Sequence, residues 1–118
     1  MSNNLYPPYT YDREKRRNEL ASEQAEAWNN FSETVFKAGA LDAKTKQLIA
    51  VAVAHVTQCP YCIRGHIPGA LKAGASKEEI MEAIWVAAEM RAGGATAHSM
   101  VAMGAIEEYE ELQEKFKK

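Results

Sequence analysis

Leu48-Ile49-Ala50-Val51-Ala52-Val53-Ala54-His55-Val56 is the stretch on which the fold class turns. Valines alternating with alanines suit a buried strand, and the same residues suit a helix that is apolar on every side. Two features favour the helix. The run belongs to a segment of roughly fifteen residues, Ala43 to about Thr57, that opens behind Asp42, a good N-cap. Alanine is also the strongest helix former and a poor strand residue. The stretch therefore reads as a central, buried helix, and no strand pair or hairpin dipeptide elsewhere competes with it.

Immediately downstream comes Cys59-Pro60-Tyr61-Cys62-Ile63-Arg64-Gly65-His66, which holds both cysteines of the chain. Proline suits the first helical position, because its φ is preset and its missing N–H has no partner there. Cys59 is thus expected to cap a new helix and Cys62 to lie in its first turn. That helix runs to about Lys72 and is closed by Gly74, with Pro68-Gly69 expected to kink or break it near Arg64 to Ile67. Ser76-Lys77-Glu78-Glu79 is a capping box. It opens a helix with Ile80, Met81, Ile84, Trp85 and Ala88 on one side, expected to end near Gly93-Gly94. A last helix carries Ala97, Val101, Ala105, Tyr109, Leu112 and Phe116 as an i, i+4 stripe, with Lys115, Lys117 and Lys118 at its negative end.

Upstream, Asp12 to Lys37 is helical in pattern, with Leu20, Trp28, Phe31 and Val35 near one face and Gly39 as terminator. Residues 1–11, with Pro7-Pro8, read as an extended arm, disordered or laid on a neighbour. The expectation is an all-α bundle of about five to six helices in a single domain, 12–118. Small residues at presumptive helix contacts, together with more helix than one small core needs, suggest an oligomer.

Composition narrows the function. Of 118 residues, 47% are apolar and 25% charged, with a formal net charge of −2, which describes an ordinary globular domain. Intermixed charges give no support for nucleic-acid binding. No apolar run approaches the ~20 residues of a membrane helix, and the first residues lack the apolar core of a signal peptide. The expected compartment is the cytoplasm, where a CxxC pair is more often catalytic or metal-binding than a permanent staple.

The cysteine pair suits redox chemistry. Residues at i and i+3 around a helix start fall within the Cα separation that a disulfide needs. The loop is so short that the bond removes little unfolded-chain entropy, so its value lies in forming and breaking. At the helix N-terminus, unpaired N–H groups and the positive dipole end favour thiolate. Cys62 and His66, four apart, share a helix face with Cβ atoms ~6 Å apart, so imidazole is placed to take the thiol proton. Such a thiolate can attack a peroxide, giving a sulfenic acid that Cys59 resolves, or attack a partner's disulfide. Zinc is the rival, since His55, Cys59, Cys62 and His66 form one run of ligand types. However, His55 and His66 lie ~16 Å apart along helical rise, and tetrahedral ligands must converge within ~2.3 Å of one ion. His55 alone suits a hydrogen-bonded core residue; His98 is left without an assigned role.

The run Leu41-Asp42-Ala43-Lys44-Thr45-Lys46-Gln47-Leu48-Ile49-Ala50, followed by the CxxC-x3-H core, resembles the carboxymuconolactone decarboxylase-like family, within it the alkyl hydroperoxidase D branch. Ala70 to Ile80 and Met90-Arg91-Ala92-Gly93-Gly94-Ala95 through His98 share the likeness, which covers about Phe31 to Met103. The resemblance implies an all-helical fold assembled as a homotrimer or homohexamer, with no bound cofactor. It implies peroxidase or protein-disulfide reductase activity, with a hydroperoxide substrate and a thiol or dihydrolipoyl-type protein reductant. By position it makes Cys62 the peroxide-attacking thiol, Cys59 the resolving thiol and His66 part of the proton relay, with Gln47 and His55 at further relay positions.

Two departures stand out. Gln47, twelve residues before Cys59, stands where relatives carry a glutamate; an amide holds a hydrogen bond but does not accept a proton. Glu33, Glu82 and Glu89 are candidate substitutes for it. Tyr61 stands between the cysteines, where the hydroperoxidase itself has histidine. Two other readings of the chain are a lyase acting on a lactone acid, whose type enzyme does not use the cysteine pair, and a non-catalytic oligomeric redox sensor.

Overall fold

A computed structural model describes residues 5–117 as five helices, with no strand among the described residues. They are α1 (Tyr11–Glu19), α2 (Ser22–Phe36), α3 (Ala43–Thr57), α4 (Pro60–Lys72) and α5 (Lys77–Phe116). No helix among the described residues is long and apolar enough to cross a membrane. The ambiguous stretch at Leu48–Val56 is helical, and α3 packs against both α4 and α5. Asp42 caps it as expected, its carboxylate accepting the Thr45 N–H at 2.7 Å.

The core is small. Val51, Ala70, Ala75 and Ile80 are buried together, and Leu48, Ile67 and Ile84 pack against them from α3, α4 and α5. The connection between α4 and α5 is tight for an identifiable reason. Gly74 adopts a left-handed φ of 99°, while Gly74 N–H donates to Leu71 O and Ala75 N–H to Ala70 O, so the last carbonyls of α4 are satisfied. The Ser76–Glu79 capping box then starts α5. Lys44 reaches across from α3 to Glu79 at 3.0 Å. The Ser76 backbone N–H, then the Lys44 ammonium, hold the Glu79 carboxyl below its usual range. Thr45 does the same for Asp42, and Glu79 pushes Lys44 up.

Three sequence expectations need correction. The helix expected over Asp12–Lys37 is two helices, interrupted at Leu20-Ala21. Leu20 and Ala21 donate to the carbonyls of Arg17 and Asn18, an i→i−3 tightening that ends α1, and Ala21 then leaves helical geometry (φ −153°, ψ 66°). Of the kink or break expected at Pro68-Gly69, the break does not occur: α4 runs from Pro60 to Lys72 with Pro68 inside it. One ladder bond, to the Arg64 carbonyl, is lost, and packing of Ile67 and Ala70 on Val51 retains the helix. Gly93-Gly94 do not separate two helices, and α5 is one helix of 40 residues. Neither glycine takes the positive φ that ends a helix, and glycine otherwise costs only about 1 kcal/mol in a helix interior.

The apolar face of α2 is also not buried. Trp28, Phe31 and Val35 are exposed, with the Trp28 and Phe31 rings 5.8 Å apart. From residue 5 the arm lies on α4 of its own chain; residues 1–4 of it lie outside the described residues.

Candidate functional site

The site begins where α3 hands over to α4. Gln58 takes a left-handed conformation (φ 57°), and the Cys59 N–H then donates to Ala54 O, closing α3. The same residue opens α4, since Cys59 Sγ accepts the Cys62 N–H at 3.2 Å and Pro60 follows at the first helical position. The two cysteines form a disulfide with Cα atoms 5.2 Å apart, within the ordinary range.

Cys62 and His66 line one groove between α2, α3 and α4, of about 370 Å³, with apolar walls of Val35, Phe36, Ile49 and Val53. Cys59 is not among its lining residues, so the two sulfurs are inequivalent. His66 is fixed on two sides. Its Nδ1–H donates to Gln47 Oε1 at 2.8 Å, and its ring stacks on Phe36 with centroids 5.0 Å apart. A carboxamide oxygen only accepts, so Nδ1 carries the proton and Nε2 is left as the acceptor. Gln47 reaches His66 over Gly69, where a Cβ would stand 2.7 Å from Gln47 Oε1. The glycine of Pro68-Gly69 thus makes room for the Gln47–His66 bond.

The structure brings Cys59, Cys62, His66 and Gln47 together. It does not bring His55 with them: the His55 Nδ1–H donates to Val51 O in its own helix, and His55 does not line the groove. His98 likewise donates to Gly94 O in α5. None of Glu33, Glu82 and Glu89 lines the groove. Among the described residues no three His, Cys, Asp or Glu side chains converge as metal ligands would. Among the described residues the one cation on the groove, Lys46, is engaged: its Nζ donates to Val35 O at 2.8 Å and to Lys37 O, binding the negative end of α2 to α3.

Sequence reasoning missed Phe36, Gly69 and Tyr61 as supports. Phe36 was one residue beyond the Phe31/Val35 face, and Gly69 was read only as a breaker. Tyr61 is gripped by the arm. Its hydroxyl donates to Pro7 O at 2.8 Å, and Tyr6 and Tyr9 both meet its ring edge-on with centroids 6.0 Å away. Arg13 donates to Pro8 O, and Arg17 lies over the Tyr9 ring, so α1 anchors the arm in turn.

The model of the carboxymuconolactone decarboxylase family matches residues 23–108, from early α2 into the second half of α5. The chain belongs to this family. Similar family structures include the apo form of a Legionella pneumophila member, 34% identical, with a TM-score of 0.64 over 67% of this chain and 70% of that one. A Methanobacterium thermoautotrophicum protein is 40% identical, with a TM-score of 0.67 over 70% of this chain and 93% of that one. A Thermotoga maritima family member, described as a candidate in antioxidative response, is 33% identical, with a TM-score of 0.55 over 78% and 95%. A Paracoccus denitrificans protein, uncharacterized protein 4 in cox locus, is 63% identical over 70% of this chain and 75% of its own length. The family's all-helical fold and the CxxC pair at disulfide distance agree with the expectation from sequence.

Proposed function

We propose that the protein is a thiol-dependent peroxidase of the alkylhydroperoxidase type, cycling Cys59–Cys62 between dithiol and disulfide. The observation that carries this reading is the shared groove: Cys62 and His66 line it together, with Cys59 at disulfide distance behind. The Cys62 thiolate attacks the terminal oxygen of a hydroperoxide, breaking the O–O bond and releasing alkoxide. His66 Nε2, which has taken the thiol proton, returns it to that alkoxide as the alcohol leaves. The Cys59 thiol then attacks the sulfenic sulfur, forming the disulfide and expelling water. An external dithiol of the dihydrolipoyl type restores both thiols by exchange. A reducing compartment, the cytoplasm, suits that cycle.

The apolar walls favour an organic hydroperoxide over a charged substrate. A lactone acid would ask for a free cation, and Lys46 is committed to backbone carbonyls. The Thermotoga relative's link to antioxidative response points the same way. Gln47 orients His66 without accepting its proton, so the relay ends at the imidazole and the rate is expected to be modest. Stopped-flow oxidation of the reduced protein by cumene hydroperoxide tests the reading. Thiol loss is expected at least a hundredfold faster than for free cysteine and abolished in Cys62→Ser. A rate equal to free cysteine overturns it.

A further inference from the structure

We infer that Lys46 is a positioning residue for His66: by gripping the end of α2 it keeps Phe36 on the face of the imidazole and so fixes where Nε2 points. Its part in catalysis rests on the peroxidase reading; the positioning itself does not.

One hydrogen bond does not orient a ring. The bond from His66 Nδ1 to Gln47 Oε1, at 2.8 Å, fixes one edge of the imidazole. Gln47 is a flexible side chain whose oxygen follows the ring as it tilts, and each tilt aims Nε2 differently. A proton acceptor works only when its geometry is held to within about 0.5 Å and 10–20°. The Phe36 ring supplies the missing constraint. It lies against the imidazole with centroids 5.0 Å apart and planes inclined by 29°, so edge and face are both held.

Phe36 in turn needs an anchor, because it is the last residue of α2, a helix with no buried residue. The backbone leaves helical geometry at Lys37, where ψ is 136°. The Gly39 N–H, which would serve the Val35 carbonyl in a continued helix, donates to Leu41 O instead. Val35 O is thus one of the orphan acceptors of a helix end. Lys46 Nζ donates to it at 2.8 Å and also to Lys37 O, gripping the backbone on both sides of Phe36. Among the described residues, both hydrogen bonds between this end of α2 and α3 come from that one ammonium. A charged donor makes them stronger than neutral pairs, and the negative end of α2 adds to the attraction.

Lys46 and Gln47 are consecutive on α3. A single turn of the central helix therefore supports the imidazole twice, through Gln47 at its edge and through Lys46, α2 and Phe36 at its face. Lys46 acts through Phe36 and not through its charge on the thiol, and the two routes give different results when substitutions are combined.

The test uses the full reduced chain and hydrogen peroxide, a probe small enough to make little contact with the groove wall. Lys46→Met keeps the stem and removes the donor; Phe36→Leu keeps bulk and removes the flat face. Each is expected to slow Cys62 oxidation about tenfold at unchanged helicity, less than the ~10²–10⁴-fold of an acid–base group lost outright. The double variant is expected to be no slower than either single one, since both act through one contact. Lys46→Arg, with several donors for the same carbonyls, is expected to return most of the rate. Losses that multiply in the double variant, a parental rate in Lys46→Met, or no recovery in Lys46→Arg each overturn the proposal. A second measurement needs no peroxide. Nuclear Overhauser cross-peaks between the His66 and Phe36 ring protons are expected in the parent and Lys46→Arg and absent in Lys46→Met; cross-peaks that survive in Lys46→Met overturn the positioning role. A parent no faster than free cysteine overturns the peroxidase reading instead, and the cross-peaks still decide the role of Lys46.

Discussion

The two faces of α3 are made of the same residue types and do opposite things. On one, Val51 is fully buried against Ala70, Ala75 and Ile80, and Leu48 packs beside it. On the other, Ile49 and Val53 stand open and form the wall of the groove that Cys62 and His66 share. Valine and alanine alternate through both, so composition does not distinguish a stabilising face from a functional one. What distinguishes them is what the following elements bring: a tight turn returns α5 to the first face, while the second receives the edge of α2 and the first turns of α4.

The largest effect expected on the open face is chemical. Cys62→Ser abolishes rapid oxidation by peroxide while thermal unfolding of the reduced protein shifts little. On the closed face Ile80→Ala opens a cavity and costs about 2–5 kcal/mol of stability. Val53→Ala, by contrast, changes the stability of the single chain by less than ~0.5 kcal/mol, as exposed substitutions do. Denaturant unfolding of both variants, each measured reduced and as a monomer, checks the contrast; equal costs would show that the two faces are equally closed.

Smaller effects sit on the Gln47–His66 bond. Gly69→Ala places a methyl against Gln47 Oε1 and displaces a flexible side chain, so folding is barely altered. Peroxide reactivity is expected to fall about tenfold as His66 loses its orienting partner, within the range that acid–base groups contribute. Gln47→Glu is expected to act in the opposite direction, raising the rate constant about tenfold by giving the imidazolium an anionic partner. An unchanged rate in both variants would remove His66 from the relay.

The smallest effect is the pH dependence of the clasp between α3 and α5. The carboxyls of Glu79 and Asp42 lie below their ordinary values in the folded protein, so their contribution is present at neutral pH. It fades as pH falls from the ordinary carboxylate values of about 4 through the lowered folded ones. Lys44 is raised, so its share persists through neutral pH and is lost only as alkali passes the ordinary lysine value and then the folded one. Glu79→Gln is expected to flatten the acid limb of a melting-temperature profile by lowering its neutral plateau slightly, as loss of one exposed ion pair does.

Much of this was readable in the residues. Asp42, Cys59 with Pro60, Gly74 and the Ser76–Glu79 box each act through neighbours within a few positions, and each stands where local chemistry puts it. The readings that failed treated a local preference as decisive where packing or its absence governs. Pro68 is carried by Ile67 and Ala70 on Val51, and Gly93-Gly94 lie in a helix with nothing that makes it turn. Tyr61 and Gly69 were opaque for another reason. Their partners, Pro7 and Gln47, lie 54 and 22 positions away in sequence, beyond what spacing reports.

Cys59 ends one helix with its amide and begins the next with its sulfur. The atom that changes oxidation state is therefore also a hydrogen-bond acceptor in the backbone scaffold. A sulfur freed from the disulfide differs as an acceptor from one bonded to a second sulfur, so the bond to the Cys62 amide changes with the oxidation state. The Cys62 amide proton consequently serves as a built-in voltmeter: its resonance should shift between the disulfide and dithiol forms, tracking electron load without a label.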